Sequence, residues 1–405
     1  MTTTTYRASA FLEAAERLGV SVVVGSDHPQ VLSGANPGGN LTLNFLAPGE
    51  VSRTIVEFTR DYPVRAVVGV DDDSVILAAI VSESLGLPHN SVHSVSAARN
   101  KHRMREILTE ASLPSPRFQR FSIDEDPVDA ARMVSFPCVI KPLFLSASRG
   151  VIRADDRDQF IGAYHRVVTL LRRPEIAVQG GALAQQILVE TFIPGVEVAV
   201  EGLLSKGRLR VLATFDKPDP LDGPFFEETM YVTPSRLPIP VQEAITDCTA
   251  KAVTALGLQE GPVHAELRVN DQGPWVIEIA PRSIGGLCSC TLRFDGGTSL
   301  EELILRHAVG LDVEPFERER NASGVMMIPI PKAGVLREVQ GQEEARRVPG
   351  IEGIRITIPV SQEVAPLPEG TRYLGFIFAR DETPERVETA LREAHRLLTF
   401  IITPQ

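Results

Sequence analysis

Hydrophobic residues in the first third of the chain alternate between short continuous runs and helical spacing. The runs SVVVGS (21–26) and VRAVVGV (64–70) are rich in β-branched residues, as buried parallel strands are. Apolar residues recur at helical spacing before the first run, over 11–18, and after the second, over 75–85. This alternation predicts an open α/β domain over residues 1–95. Such a domain usually starts with a strand whereas this chain starts with a helix, so we expect its first strand to be missing.

Strand patterns dominate the middle of the chain, and a smaller unit follows them. Residues 96–114 have helical spacing, and strand-like runs then recur from 136 to 311. The runs GVMMIPI, IRITIPV and YLGFIFA precede an amphipathic helix over 384–398. We therefore predict a middle domain over 96–314 and a small α+β domain over 315–405.

Two segments with period-two alternation flank the sequence NDQGP and predict a β-hairpin. If Val269 pairs with Trp275 across a five-residue loop, Glu266 falls directly opposite Glu278. Like charges in that position destabilise a sheet. A divalent cation between them would reverse the sign, and two carboxylates suit Mg²⁺. Two solvated glutamates on an exposed hairpin are the alternative that these residues alone leave open.

Two further segments hold candidate nucleotide-binding residues. In FPCVIKPLFLSASRGV, Lys141 ends a predicted strand, and the small-residue loop 146–150 could bring backbone N–H groups to phosphates. In ILVETFIPGVEVAV, Glu190 and Glu197 flank a strand break and could accept bonds from an adenine amino group or from ribose hydroxyls. The alternatives are a surface lysine before an ordinary turn, and charges on an exposed hairpin face.

The segment 216–240 holds six prolines and few periodic apolar residues, which predicts a long loop. Loops of that length inside a compact region are more often functional than idle. Lys217 could reach phosphates, and Glu227, Glu228 and Tyr231 could touch an amino substrate. A solvated lid without such contacts is the alternative.

Three other polar residues are interpreted as structural. His264 shares a strand face with Glu266, and we expect a histidine whose hydrogen bonds are satisfied within the fold, with a substrate contact as the alternative. Cys288 and Cys290 follow a Gly-Gly turn, and we expect them to line a pocket without doing chemistry.

Composition and charge narrow the class of protein. The 405 residues are 43% hydrophobic and 23% charged, which is ordinary for a globular chain. The net charge of -11 argues against nucleic-acid binding through a broad basic surface. No window approaches the ~18 consecutive apolar residues of a membrane span, no secretory signal is visible, and the four cysteines show no disulfide framework. We expect a cytoplasmic protein with neither a membrane nor a nucleic acid as partner.

The order of these motifs resembles the ATP-grasp superfamily over essentially the whole chain. The order is a lysine-bearing helix, a strand with lysine and a small-residue loop, Glu-x₂-Ile-x-Gly-x-Glu, and Glu-x₁₁-Glu-x₃-Arg. EIAPRSIGG (278–286) and the tail GVLREVQG…RYLGFIFAR most resemble the L-amino acid ligase branch, whose members join amino acids through an acyl-phosphate. The resemblance implies an ATP-grasp fold in a multidomain α/β and α+β protein, with an N-terminal open α/β domain and a small C-terminal α+β domain.

The same resemblance implies a role for each candidate residue. The implied roles are phosphate contacts for Lys101, Lys141 and Lys217, a flap over the phosphates containing Ser146, Ser148 and Gly150, adenine recognition by Glu190 and the backbone of Phe192 and Ile193, ribose recognition by Glu197, binding of Mg²⁺ or Mn²⁺ by Glu266 and Glu278, and neutralisation of the acyl-phosphate or substrate carboxylate by Arg282.

The function implied is an ADP-forming carboxylate–amine ligase that uses ATP and small-molecule amino acid substrates, and a homodimer is usual for such enzymes. One alternative is a biotin-type carboxylase. Those enzymes typically follow the arginine with Gln-Val-Glu-His, whereas Ser-Ile-Gly-Gly follows Arg282 here. The other alternative is an ATP-binding module without turnover. Its support is the first strand expected to be missing, together with Ala280, because many ATP-grasp enzymes carry an asparagine there.

Overall fold

The computed structural model describes residues 7–28 and 39–404. Its N-terminal part contains a two-stranded parallel sheet and several helices, of which α1 and α3 confirm the helices expected over 11–18 and 75–85. The elements are α1 (Ala8–Leu18), β1 (Val24–Ser26), β2 (Asn40–Thr42), α2 (Pro48–Asp61), α3 (Val75–Leu85) and α4 (Val92–Arg99). The expectation of a missing first strand concerns the chain before α1, where residues 1–6 lie outside the described residues.

One predicted strand of this part is wrong and the other is shorter than expected. Within the described ranges residues 64–70 form no strand, and of the run 21–26 only β1 is paired. The backbone of Val70 is used by side chains instead, because its carbonyl accepts from Arg7 and its amide donates to Ser74 Oγ at 3.1 Å. The run is apolar because it packs into hydrophobic clusters, not because it joins a ladder.

The single helix expected over 96–114 is two helices, α4 and α5 (Lys101–Glu110). Asn100 has an extended backbone between them, and its side-chain oxygen accepts the amides of His102 and Arg103 as an N-cap. The amide of Lys101 donates to the carbonyl of Leu143 at 2.9 Å. The break therefore places Lys101 in the first turn of α5, next to the loop that follows Leu143.

A four-stranded antiparallel sheet with its helices forms a separate layer, here called the lid (residues 118–191). The strand order is β3-β6-β4-β5, and the apolar face of the sheet packs on α7. The lid elements are β3 (Phe118–Ser122), α6 (Pro127–Ala130), β4 (Cys138–Pro142), β5 (Ile152–Ala154), α7 (Arg157–Leu171), α8 (Pro174–Gly180) and β6 (Gln186–Thr191). Lys141 lies near the end of β4, as predicted.

An eight-stranded antiparallel sheet faces the lid, in the order β11-β10-β7-β8-β9-β14-β18-β16. The sheet runs on through the predicted domain limit at 314/315, and this limit stays a prediction. The remaining elements are β7 (Val196–Ser205), β8 (Arg208–Asp216), β9 (Met230–Thr233), α9 (Ile239–Ala255), β10 (Gly261–Asn270), β11 (Gly273–Ala280), β12 (Arg293–Phe294), β13 (Thr298–Ser299), α10 (Leu300–Ala308), β14 (Ala322–Ile328), β15 (Gly334–Gln340), α11 (Gln342–Arg346), β16 (Ile351–Ile356), β17 (Glu363–Val364), β18 (Gly375–Asp381), α12 (Pro384–Leu397) and β19 (Thr399–Thr403).

The C-terminal predictions agree with this sheet. Strands β14, β16 and β18 and helix α12 occupy the predicted runs. Strand β9 was not predicted, because it lies inside the proline-rich segment 216–240 and has only four residues. Among the helices described, none is long and apolar enough to cross a membrane.

Candidate active site

A cavity of about 310 Å³ lies between the lid, the eight-stranded sheet and the N-terminal part. Most of the predicted site residues line it, namely Lys101, Lys141, Ser146, Ser148, Glu190, Phe192, Ile193, Glu197, Glu266, Glu278 and Arg282. Of the described residues that were predicted, Gly150 and Lys217 are not part of its wall. The cavity thus brings together residues that lie 181 positions apart in sequence, from Lys101 to Arg282.

Glu266 lies directly opposite Glu278, as predicted, although the hairpin reaches this pairing by a different register. Val269 pairs with Pro274 rather than with Trp275, so the loop is shorter than expected. A β-bulge corrects the offset, because Ile277 is an extra residue on β11. The predicted pair is therefore correct, although the predicted register is wrong.

Each of the facing carboxylates has a lysine partner. Lys101 Nζ lies 3.2 Å from Glu278 Oε1 and donates to the carbonyl of Leu145 at 2.8 Å. Lys217 Nζ lies 3.2 Å from Glu266 Oε1. The two ammonium groups offset the repulsion between the carboxylates.

The Lys217 ammonium is buried among three carboxylates. Besides Glu266 it contacts Glu197 Oε1 at 2.8 Å and Glu228, and Glu228 also accepts from the Tyr231 hydroxyl at 2.8 Å. Burial lowers the pKa of Lys217, but the three carboxylates outweigh burial and hold that pKa well above its usual value. Burial, reinforced by Glu266 and Glu197 against the opposing effect of Lys217, raises the pKa of Glu228 to about 7. Lys217 is a fixed cation behind the cavity wall.

Glu190 is held between two buried cations, one of which the sequence analysis did not select. Arg105 Nε donates to Glu190 Oε1 at 2.7 Å, and Lys141 Nζ lies 2.7 Å from Glu190 Oε2. Burial raises the pKa of Glu190, but Arg105 and Lys141 outweigh burial and lower it to about 2. The available signal for Arg105 was its i,i+4 spacing from Lys101, which places both side chains on one face of α5.

The depressed pKa of Glu190 predicts a pH effect on stability. A carboxyl with a folded-state pKa of about 2, against the usual 4.5, stabilises the fold above pH 4.5 and loses that contribution as pH falls towards 2. Over the whole window the loss is roughly 3 kcal/mol. We expect the difference in unfolding free energy between wild type and Glu190→Gln to shrink as pH falls from about 5 to about 3. Urea titrations at each pH measure it, and a pH-independent difference would contradict the assignment.

His264 lines the cavity and is paired with a carboxylate at each ring nitrogen. Its Nδ1 lies 3.0 Å from Glu201 Oε2 and its Nε2 lies 3.5 Å from Glu266 Oε1. Burial lowers the pKa of His264, but the two carboxylates outweigh burial and raise it to about 9. Glu201 also accepts the amide of Ile284 at 3.0 Å, so it fixes the chain just after Arg282.

Arg282 is oriented by an aspartate from the N-terminal part. Arg282 Nη2 donates to Asp72 Oδ2 at 2.9 Å, and Arg99 Nη1 lies 2.9 Å from Asp72 Oδ1. Burial raises the pKa of Asp72, but Arg282 and Arg99 outweigh burial and hold it well below its usual value. Asp72 lies in the sequence between an extended run and α3, where no local pattern marks it.

The flap (residues 146–150) is a tight turn with Ala147 and Ser148 at positive φ, 55° and 53°. Gly150 donates its amide to the carbonyl of Pro368 at 2.9 Å, so this amide is already used in the structure. Arg166 of the lid also forms a two-bond ion pair with Glu369. The C-terminal loop thus contacts the lid on the flap side.

Phe192, which lines the cavity, lies next to two guanidinium groups. The guanidinium carbons of Arg153 and Arg268 lie 4.0 and 4.9 Å from the centre of its ring. Arg268 Nη1 also donates to the carbonyl of Ile193 at 2.7 Å, and Arg268 Nε donates to Glu197 Oε2 at 3.1 Å. Arg268 therefore fixes the segment predicted to read adenine and ribose, although it was not among the predicted site residues.

Of the residues interpreted as possible substrate contacts or as pocket cysteines, only some line the cavity. Glu228 and Tyr231 line the cavity with Cys288, whereas Glu227 is not among the lining residues described. Burial raises the pKa of Cys288 above its usual range, so its thiol stays protonated and is a poor nucleophile.

Replacing Cys288 with alanine is therefore expected to leave turnover close to the wild-type value, provided the folded fraction is matched. Steady-state kinetics after a thermal-melting check measures this. Loss of turnover in folded Cys288→Ala protein would show that the thiol takes part in the chemistry.

Three family models match the chain in succession. The ATP-grasp N-terminal domain matches residues 12–89, the ATP-grasp domain matches 134–291, and the L-amino acid ligase C-terminal domain 2 matches 326–403. The central match covers most of the lid and strands β7 to β11 of the large sheet, and the last match runs from within β14 to the end of β19.

The individual proteins to which the chain is similar include amino acid ligases. The chain is 26% identical over 269 residues to an alanine–anticapsin ligase of Bacillus subtilis, a match that covers 63% of this chain and only 56% of that ligase. The crystal structure of an L-amino acid ligase from Bacillus licheniformis superposes with a TM-score of 0.85 and 28% identity, covering 97% of this chain and 96% of that one. The biotin carboxylase domain of Hydrogenobacter thermophilus 2-oxoglutarate carboxylase has a TM-score of 0.68 at 16% identity, covers 98% of this chain and 88% of that one, and shares the fold alone.

Proposed function

We propose that the chain is an ATP-dependent carboxylate–amine ligase that forms an amide or peptide bond between amino acids, because ATP-grasp and L-amino acid ligase family models match three successive segments of it. In this reaction a carboxylate oxygen attacks the γ-phosphorus of ATP, and the bond to the bridging oxygen breaks to release ADP. The amine then attacks the acyl carbon, gives up a proton and displaces inorganic phosphate.

The observation that carries this proposal is the facing pair Glu266–Glu278 in a cavity that also holds Lys141 and Arg282. The pair fits a divalent cation, because two carboxylates from directly opposed residues that line one cavity supply the oxygen ligands that Mg²⁺ and Mn²⁺ prefer. Glu266 and Glu278 would hold this ion, which supplies positive charge to phosphate oxygens.

The other charged residues would bind and orient. Lys101 and Lys141 bind phosphate oxygens, and Glu190 keeps Lys141 in place. Arg282, oriented by Asp72, neutralises the carboxylate that becomes the acyl-phosphate. Phosphoryl transfer depends mainly on positioning and on charge neutralisation, so no covalent catalyst is needed.

Several other residues of the cavity wall suit an amino acid substrate. Glu228, which accepts bonds from Lys217 and from the Tyr231 hydroxyl, lines the cavity and can accept a further bond from an amino group. Ile284, Met327 and Tyr373 supply apolar wall for a side chain. This pairing of one carboxylate with an apolar wall favours an amino acid over bicarbonate.

The carboxylase alternative lacks comparable support. Ser283 and Ile284 follow Arg282, where carboxylases typically have Gln-Val-Glu-His, and the carboxylase likeness is one of fold. The non-catalytic alternative loses force because the facing carboxylates, the lysines and Arg282 all reach one cavity.

ADP release across pairs of amino acids tests the proposed function. In wild type we expect ADP and a dipeptide-mass product in equal amounts with some pair of amino acids, and no ADP above background with either amino acid alone. Folded Glu278→Gln protein should release no ADP above background with the same pair. ADP formation that requires bicarbonate and biotin would favour the carboxylase. Nucleotide binding without turnover for any pair would favour the non-catalytic module.

The cytoplasmic location, the homodimer and the domain limits 1–95, 96–314 and 315–405 stay predictions. Light scattering after size exclusion tests the homodimer directly, since it measures mass independently of shape.

A further inference from the structure

Arg105 is a fully buried cation that lies behind the cavity rather than in its wall. It extends from α5 one turn after Lys101, and none of its surface is exposed. Its Nε and Nη2 donate to the two oxygens of Glu190 at 2.7 and 3.3 Å. A buried charge of this kind is costly unless partners satisfy it, so its position is determined by those partners.

The second partner of Arg105 is the bulge on β11. Nη2 donates to the carbonyl of Ile277 at 2.6 Å, and Ile277 is the extra residue between the pairs Leu267–Val276 and Glu266–Glu278. If β11 continued from Val276 without the bulge, Glu266 would pair with Ile277, and Glu278 would project from the other face of the sheet, because side chains alternate along a strand. The bulge therefore decides whether Glu278 reaches the cavity.

Glu190 joins Arg105 to the nucleotide side of the cavity. Glu190 Oε2 lies 2.7 Å from Lys141 Nζ, and Lys141 lines the cavity whereas Arg105 does not. A continuous set of contacts thus runs from Lys141 through Glu190 and Arg105 to Ile277. Its two ends lie on the two sheets that face each other across the cavity.

We propose that Arg105 is a positioning residue that holds Lys141, through Glu190, and the Ile277 bulge in a fixed relation, so that the phosphate-binding lysine and the Glu266–Glu278 pair are set together. This inference rests on the proposed function for the roles of Lys141 and the glutamate pair. It adds that the Arg105 guanidinium fixes the positions of both Lys141 and the Glu266–Glu278 pair. Only a planar group with several donors can serve Glu190 and a carbonyl at once, and a lysine offers a single ammonium at the end of a flexible stem.

The test compares wild type with Arg105→Lys, which keeps the charge and therefore the neutralisation of Glu190. Calorimetry measures binding of a non-hydrolysable ATP analogue at several Mg²⁺ concentrations, with no amino acid present. We expect Arg105→Lys to weaken analogue binding about tenfold and to raise the Mg²⁺ concentration needed for half-maximal binding. Amide hydrogen exchange of residues 276–280 in the ligand-free protein should also become faster.

Leu108→Ala is the matched control, because Leu108 is a fully buried apolar residue of the same helix. It should lower the melting temperature and leave both the analogue affinity and the Mg²⁺ requirement near wild type. Unchanged affinity and exchange in Arg105→Lys would overturn the proposal, as would equal changes in Leu108→Ala. A wild type that binds the analogue but ligates nothing would refute the ligase activity alone, and one that binds no analogue would refute both.

Discussion

Glu278→Gln is expected to abolish nearly all turnover while the protein stays folded. Glu278 lies opposite Glu266 in the cavity, and its side chain is 22% exposed, so it can reach a ligand. A neutral amide cannot balance a divalent cation and phosphate charge as a carboxylate does. Losses of about 10²–10³-fold accompany removal of one preorganised electrostatic group. ADP release under saturating substrates measures the effect.

The fold should survive this change because glutamine has the same shape and can still accept a bond from Lys101. Asp271→Asn is the control, since Asp271 is exposed at the tip of the same hairpin and is likewise a carboxylate-to-amide change. It should retain wild-type turnover. Normal ADP release by folded Glu278→Gln protein would remove Glu278 from the metal site.

Lys141→Ala is expected to weaken ATP binding by ~1–3 kcal/mol, the usual effect of losing a charge-assisted hydrogen bond. Lys141 lies near the end of β4, is almost fully buried and lines the cavity, and burial lowers its pKa. A buried lysine at a cavity wall is available for a bound anion in a way that a solvated one is not. Calorimetry with a non-hydrolysable ATP analogue measures the affinity.

Glu190 keeps its bonds from Arg105 when Lys141 is removed, so the carboxylate is not left buried without a partner. Lys251→Ala is the control, because Lys251 is an exposed lysine of α9 paired with Asp247. That variant should bind the analogue as wild type does. If Lys141→Ala bound it equally well, the phosphate contact predicted for Lys141 would be wrong.

Local patterns predicted the elements that carry the site better than they predicted its geometry. Period-two alternation over β10 and β11 was enough to find the Glu266–Glu278 pair. It could not reveal the bulge at Ile277, because one extra residue changes the register without changing the alternation on either side. The right pairing followed because the error in loop length and the bulge offset each other.

Other predictions were wrong where side chains form hydrogen bonds with backbone groups that a regular helix or strand would use. Asn100 ends one helix and caps the next, although the apolar spacing continues through it. The run 64–70 looks like a buried strand because it is buried, yet Arg7 and Ser74 occupy the backbone of Val70. Burial alone therefore does not distinguish a strand from an extended segment held by side chains.

The residues that orient the site were the hardest to predict. Arg105 acts on Glu190 from 85 positions away, and Asp72 acts on Arg282 from 210 positions away. Neither residue is in a motif, and arginine and aspartate are both common at protein surfaces. Their importance follows from burial and from an opposite charge that only the folded chain brings near.

Transfer of heavy oxygen from the substrate carboxylate tests most directly the claim that the reaction proceeds through an acyl-phosphate. One carboxylate oxygen bonds to the γ-phosphorus in the first step and leaves with inorganic phosphate in the second. A substrate with both carboxylate oxygens labelled should therefore give phosphate with one heavy oxygen per amide formed, measured by mass spectrometry of the products. Heavy oxygen in AMP, with pyrophosphate as co-product, or unlabelled phosphate alongside the amide, would contradict the proposed mechanism.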